Sequence, residues 1–534
     1  MAMKIKVLVL ITFLAASLRF YHLASAPPSL YWDEVSLGYN AYSILKTARD
    51  EHGKFMPFTN FGAFGDYKPP GYIYADVPAV AIFGLNEFAI RFPSALFGVF
   101  TVLLTYFLAR KLFRDEKIAQ MATFFIAISP WHLQFSRVAY ESNMALFFST
   151  LGIYLFIKFA NDNKFYIFPS LMSFLIAMYT FTGQRLFAPF IILVLSFLFR
   201  DKIFKNLKTA IAATLLFLLL FYPLFTFATR TTEGKLRFKE VTIFNDLAPI
   251  DKSIEYRKAD NFSLLSNIID NRRLFFTHDY LMHYLDAFDP AFLFSKGDVN
   301  PRLSTQFTGE LYFFELPLLL LGIYFLIKKR EKYSLLVFSW LLISPFGPAT
   351  ARETPHALRM AHILPTFQLI NAYGILNLQI TAKFKKLVTS LIGLVVLISI
   401  FYYLHFYYID YPIAYSGAWQ FGYKEAIETI EPIYQNYDQV FITDYQGRAY
   451  VYTLFYLKVD PNDYYKNANV TRDQFLFYNV QSYKNFIFTD DYSKYNLKNS
   501  LFISMPGNLP VNAAKIKTIN DLSGHTVFDI GFIK

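Results

Sequence analysis

The stretch SLYWDEVSLGYNAY sets two carboxylates, Asp33 and Glu34, about nine residues beyond an apolar run from Val7 to Ala24. Carboxylates at or near membrane depth are costly and tend to be functional. A carboxylate there could take a proton from a hydroxyl. Adjacent residues project about 100° apart on a helix and to opposite faces on a strand. They cannot serve one reacting atom in the same way. With Asp33 as the base, Glu34 would orient, bind an acceptor or help hold a divalent cation. Basic groups follow. Lys68 stands in GDYKPPGYIY, where the prolines force it into an extended or turn conformation. Arg91 opens the apolar stretch IRFPSALFG, where it could snorkel to headgroups or meet a phosphate. Arg137 and Glu141, four apart in FSRVAYES, could pair along a helix. Arg359 lies in TPHALRMAHILP between His356 and His362, a six-residue spacing that is not a metal-ligand motif. Together these charges suit a substrate with an anionic head and a lipid tail.

The elements that position them are membrane spans. The chain is 54% hydrophobic and 17% charged, where a soluble chain carries nearer a quarter charged residues. The expected spans are 6–24, 91–110, 117–131, 143–160, 165–181, 186–200, 209–228, 311–328, 333–347, 357–378 and 386–409. Tyr72–Phe83 reads as a short interfacial element. Basic clusters occur at Lys4 and Lys6, Arg110 to Lys117, Arg200 to Lys208, Lys328 to Lys332 and Lys383 to Lys386. With eleven spans and the N-terminus inside, all five face the cytoplasm. The first loop (25–90), the long loop (229–310) and the tail then lie outside the cytoplasmic membrane. The residues ASA at 24–26 resemble a signal cleavage site, but Pro27 suits cleavage poorly, so a retained first helix is expected. The net charge of +11 sits in short loops and is read as a topology signal, not as a nucleic-acid surface. The absence of cysteine excludes disulfides and thiolate chemistry.

The tail reads differently. DQVFITD, QFLFYNV, NFIFTDD, SLFISM and TVFDIGFI are short strand-like runs, and GYKEAIETIEPIY has helical spacing. The expected fold is a polytopic α-helical membrane module, 1–409, followed by a small α/β domain, 410–534.

YWDE after the first helix, YKPP later in the same loop and IRFPSALFG entering the second span resemble GT-C membrane glycosyltransferases. The likeness is to protein O-mannosyltransferase-like enzymes and bacterial aminoarabinose (lipid A) transferases. It covers about the first 230 residues, and GDVNPR (297–302) and TPHALRMAHILP (354–365) look like later parts of bacterial members. The resemblance implies a polyprenyl-phosphate-linked sugar as donor, membrane lipid as surroundings and a glycan, lipid or protein as acceptor. It implies Asp33 as catalytic residue, with Lys68 and Arg91 serving the donor phosphate or the integrity of the site. Glu141 falls where some relatives carry a second acid. The long loop looks too short for the sugar-binding-like domain of eukaryotic mannosyltransferases, which weakens the case for a protein acceptor. No certain cofactor is implied. Polyprenyl phosphate leaves as a stable anion, so one base suffices and direct attack inverts the anomeric carbon. A transporter of lipid-linked sugars, or a polysaccharide ligase or polymerase, would share these surroundings. The transporter would more often show repeated halves, which are not evident here.

Overall fold

The computed structural model describes residues 2–378, 382–473 and 476–534. The side chains of Lys4, Lys385 and residues 237–240, and Gln474 and Phe475 at the head of one expected strand, lie outside the described set.

A helix coincides with every expected span. Among the described residues, five stretches are long and apolar enough to cross a membrane: Glu87–Phe113, Glu141–Asn161, Leu207–Arg230, Lys332–Thr350 and Lys386–Tyr415. The stretch 357–378 is shorter than expected. Its first part is broken into turns, and the helix proper is Thr366–Asn377. Pro365 explains the break, because the residue before a proline is driven out of the helical region, and Leu364 is extended. The long loop has local structure of its own. It holds the helices Thr232–Val241, Ala248–Ala259, Leu264–Ile269 and Arg272–Asp286.

The chain divides into two compact units, but not at residue 410. One takes in residues up to Leu18, Phe97–Phe135 and Ser142–Phe401; the other takes in Arg19–Leu96, Ser136–Glu141 and Tyr402–Lys534. The tail therefore shares a unit with the first loop. The bonds responsible run from Tyr39 Oη to the Val459 carbonyl (3.1 Å), from Tyr67 Oη to that of Leu476 (2.9 Å) and from Tyr452 Oη to that of Leu30 (3.1 Å).

The first unit is helical. Glu315–Lys329 and Thr366–Asn377 pack at Gly322 and Gly374, where an added Cβ would collide with the carbonyls of Ile370 and Leu318. Small residues let membrane helices approach this closely. Buried Glu315 accepts from Asn371 Nδ2 (2.6 Å) across the same pair. The motifs GDVNPR and TPHALRMAHILP meet in this unit, because Asp298 Oδ2 accepts from the Ala357 amide (2.7 Å).

The second unit has a two-stranded hairpin, β1 (Phe61–Ala63) and β2 (Asp66–Lys68), and a seven-stranded sheet. The sheet strands are β3 (Gln439–Ile442), β4 (Ala468–Arg472), β5 (Tyr478–Tyr483), β6 (Phe486–Phe488), β7 (Ser500–Ser504), β8 (Ala514–Asn520) and β9 (Thr526–Ile533), in the order β4-β5-β6-β3-β7-β9-β8. Central β3 pairs parallel with β6 and β7, with Val440 opposite Phe486 and Leu501. The other pairs are antiparallel. The helix Tyr423–Ile430 buries Tyr423, Ala426, Ile427 and Ile430, the single face its spacing predicts.

Candidate active site

Three local devices in the second unit position the charged residues. The first is the helix Trp32–Thr47, which opens on Trp32-Asp33-Glu34. Glu34 Oε2 reaches back to accept from the Tyr31 amide (3.3 Å), as a third-position acid does in a capping box. The carboxylates also favour the positive end of the helix dipole.

The second device is the hairpin. Lys68 ends β2 and is extended, as the following prolines require. Pro69 and Pro70 then start the helix Pro70–Phe83, where a missing amide hydrogen costs nothing.

The third joins that helix to Glu87–Phe113. Arg91 and Pro93 lie inside this helix, which starts four residues before Arg91, so Pro93 falls beyond the first turn. Tyr72 Oη accepts from the Ser94 amide (3.2 Å) and donates to the Ile90 carbonyl (2.9 Å). Its hydroxyl is inserted in the helical ladder next to the proline, a known cause of kinking.

Within this frame Asp33 and Glu34 diverge, as adjacent positions on a helix must. Glu34 is fully buried and forms a bidentate pair with Arg91, Nε to Oε1 2.9 Å and Nη2 to Oε2 3.1 Å. It also accepts from the amides of Ala139 (3.0 Å) and Tyr31 (3.3 Å), so its roughly four acceptor positions are filled. Arg91 gives its remaining N–H groups to the carbonyls of Leu23 (3.2 Å), Pro27 (2.8 Å) and Ser29 (2.6 Å). All five of its donors are used.

Asp33 faces the other way. Its side chain is 27% exposed, against 0% for Glu34, and it bonds to the Lys68 ammonium. Lys68 also bonds to Asp66 (3.2 Å). Burial alone would push the Lys68 ammonium down. The Asp33 and Asp66 carboxylates, with Glu141 behind them, outweigh it and hold the ammonium above its ordinary range.

Arg137 and Glu141 do not form the helical pair their spacing suggested. The helix Pro130–Ser136 stops before Arg137 and the next begins at Glu141. Arg137 is buried, donating to Tyr407 Oη (3.2 Å) and to the carbonyls of Arg19 (3.2 Å), His22 (3.3 Å) and Ala26 (3.0 Å). It lies over the rings of Tyr407 and Tyr408. Arg359 belongs to the other unit, where it engages the Glu353 carbonyl (3.1 Å). Among the described residues no three carboxylate or imidazole side chains converge as a metal-ligand set.

Sequence reasoning passed over Asp66, the second partner of Lys68, although it stands in the quoted GDYKPP. It also passed over Asp76, buried one turn beyond Tyr72. Burial, with Glu34 and Glu141 nearby, holds the Asp76 carboxyl well above the usual carboxylate range. The first loop hides a third acid, Glu51, fully buried and receiving Asn40 Nδ2 (3.2 Å). Burial, with Asp50 adding to it, pushes Glu51 up to about 8 against the Asn40 bond. Tyr39, Tyr450, Tyr464 and neutral His52 surround it; burial and Arg472 push His52 down to about 3.

Folded Glu51 keeps a proton that the unfolded chain releases between about pH 4.5 and about pH 8. Its contribution to stability is complete below that window and is lost as pH rises through it. His52 acts only on the acid side, between its ordinary 6.5 and about 3. Melting of detergent-solubilised protein followed from about pH 6.5 to about pH 9 should therefore fall more steeply in wild type than in Glu51→Gln. Parallel curves would remove Glu51 as the cause.

The comparisons with known proteins bear on the family and the fold. Residues 9–225 match the family model for dolichyl-phosphate-mannose-protein mannosyltransferase. The fold is similar to that of ArnT. The structure of ArnT from Cupriavidus metallidurans in the apo state aligns over 98% of this chain and 97% of that one, at 12% identity and a TM-score of 0.58. ArnT bound to undecaprenyl phosphate aligns over the same shares at 12% identity and 0.57. An uncharacterised protein of Aquifex aeolicus is 30% identical over 141 residues, 25% of this chain and 28% of that protein. The putative mannosyltransferase YkcB of Bacillus subtilis is 27% identical over 161 residues, 30% of this chain and 21% of its own length. The chain thus spans under a third of the curated relatives it matches.

Proposed function

We propose that this protein is an inverting glycosyltransferase. It moves a sugar from a polyprenyl-phosphate donor to an acceptor hydroxyl at the outer face of the cytoplasmic membrane, with the N-terminus inside and the tail outside. The observation that carries the reading is the split between the adjacent acids. Glu34 is saturated by Arg91 and two amides. Asp33 is open and touches the Lys68 ammonium. The family match over residues 9–225 and the ArnT-like fold support the same donor class.

In this scheme Asp33 accepts the proton of the acceptor hydroxyl as its oxygen bonds to the anomeric carbon. The bond between that carbon and the phosphate oxygen breaks, and the electron pair leaves with polyprenyl phosphate. The arriving phosphate competes with Asp33 for the Lys68 ammonium. Lys68 then stabilises the charge developing on the leaving oxygen, and Asp33 is freed to take the proton. Glu34, Arg91 and Arg137 position the loop that carries the base. Glu141 adds to the acidic field around Lys68.

The test is direct. Purified full-length protein in lipid nanodiscs, given a polyprenyl-phosphate sugar and a panel of glycan, lipid and peptide acceptors, should release polyprenyl phosphate only when an acceptor is present. The new glycosidic bond should have the opposite anomeric configuration by NMR. Movement of labelled lipid-linked sugar across vesicles with no transfer would replace this reading by a transporter.

A further inference from the structure

The cations singled out around Asp33 are already committed. Arg91 spends all five donors inside the protein. Arg137 is buried on Tyr407 and three carbonyls. Lys68 lies between two carboxylates. A site built from these groups is net acidic toward an incoming anion. We infer that the tail supplies the missing cation, and that Arg448 is an anion-binding residue of this site for a phosphate-class group. The inference rests on the transferase reading only for what the bound anion then undergoes.

Arg448 ends a tight turn that begins at Asp444. The Gly447 amide donates to the Asp444 carbonyl (2.7 Å), and Asp444 Oδ1 accepts from the Ala449 amide (2.8 Å). One side chain ties this turn to the residue before Asp33. Gln420 Oε1 accepts from the Trp32 amide (3.0 Å), and Gln420 Nε2 donates to the Gln446 carbonyl (2.9 Å). Gly447 lies so close to the Trp32 ring that a Cβ would stand 3.3 Å from it. The Arg448 guanidinium rests over the Phe64 ring, 4.8 Å from its centre. Its Nη2 is 3.1 Å from where a Cβ on Gly65 would sit. Phe64 and Gly65 form the turn from β1 to β2, the strand that carries Asp66 and Lys68. Arg448 is thus seated on the hairpin that holds Lys68, by a turn fastened beside Asp33.

Two further features separate it from an ordinary surface arginine. Among the described residues its guanidinium makes no salt bridge within 4 Å; it rests on the Phe64 ring, and its charge reaches the Asp444 carboxylate only through space. The acid nearest in sequence, Asp444, caps Ala449 instead. The Arg448 backbone also has φ +65°, the left-handed region that glycine adopts without cost. An arginine there is strained relative to glycine, so the backbone gives no reason for the side chain. A planar fork held on an aromatic face matches a phosphate or carboxylate bidentately.

The anion has two sources that share this chemistry, the donor phosphate and an anionic group on the acceptor. The experiment compares wild type, Arg448→Gly and Arg448→Lys as full-length protein in nanodiscs. It reads undecaprenyl phosphate affinity, KM for a neutral and an anionic acceptor, and melting temperature. If the donor supplies the anion, Arg448→Gly should weaken undecaprenyl phosphate binding about tenfold or more, with melting unchanged or raised, and Arg448→Lys should recover part of the loss. If the acceptor supplies it, donor affinity holds and KM rises about tenfold for the anionic acceptor alone. Affinities and KM values within about twofold of wild type overturn the proposal, as does a binding loss that tracks a lowered melting temperature. Arg448-dependent lipid binding without any sugar transfer would leave the subsite standing and remove the transferase reading. Absence of both binding and transfer in wild type would remove both.

Discussion

Asp33→Asn should reduce sugar transfer by about 10²- to 10⁴-fold while leaving donor affinity unchanged or slightly tighter. Asparagine fills the same volume and keeps an oxygen for Lys68, but it cannot take the acceptor proton. The charge change has a definite sign. Lys68 loses one of its two carboxylates and keeps Asp66. The site becomes less acidic, which favours an anionic phosphate. The deficit must therefore appear in the single-turnover rate and not in donor binding. Removing an interaction made only in the transition state has that signature. Because the Asp33 side chain is partly exposed and Asp66 and Lys68 remain paired, the melting temperature should move little. Turnover within a few-fold of wild type would remove Asp33 as the base. A collapse of donor binding with a normal rate on the bound fraction would make it a binding residue instead.

What the sequence disclosed followed from where each residue lies. Helix positions were legible because the spans are apolar runs bounded by charged loops, and the charge pattern in those loops does not depend on packing. The inner strands β3, β7 and β9 could be read because they are largely buried, and buried strands must be apolar on their covered faces. Both sheet edges were missed. β4 (ANVTR) is largely exposed, and most of β8 (AKIKTIN) is exposed and carries Lys515 and Lys517. Lysines blunt an edge strand against further pairing, and they also erase its apolar signature. The acid pair showed its own division of labour, since neighbouring side chains diverge whatever the fold. The identity of the partners did not show. Glu34 meets Arg91 at a separation of 57 residues, and the tail turn meets Trp32 through Gln420 at 388. Pairings of that range depend on the fold, which a single sequence does not display. The same reason hid the fate of Arg137. Its four-residue offset from Glu141 promised a helical pair, but one helix ends at Ser136 and the next begins at Glu141, so no helix spans the two.

Arg91→Ala should destabilise the protein by about 3–5 kcal/mol, the cost of leaving one member of a buried ion pair uncompensated. Set against a typical total of about 5–15 kcal/mol, this is a large loss. The net attraction of the pair is smaller than that, because burying both charges is itself costly. Glu34 without Arg91 would be a buried carboxylate held only by the amides of Ala139 and Tyr31. The carbonyls of Leu23, Pro27 and Ser29 would lose their donors together. Arg91→Lys should recover only part of the loss, because an ammonium has three donors in place of a five-pronged plane. Glu34→Gln should cost less, roughly 1.5–3 kcal/mol, since the amide oxygen can still accept from one of the two backbone amides. Replacing both residues by leucine should not restore wild-type stability, because three carbonyls and two amides remain unpaired whichever pair is removed. A double-mutant cycle on thermal unfolding in detergent separates these terms. The same series discriminates between two roles for Arg91. If it positions the loop, activity should fall in proportion to the folded fraction and recover at low temperature. If Arg91→Ala instead melts like wild type yet loses donor affinity, the guanidinium meets the phosphate, and Arg137 with the Gln420 and Tyr452 bonds must hold the segment that leads into Asp33.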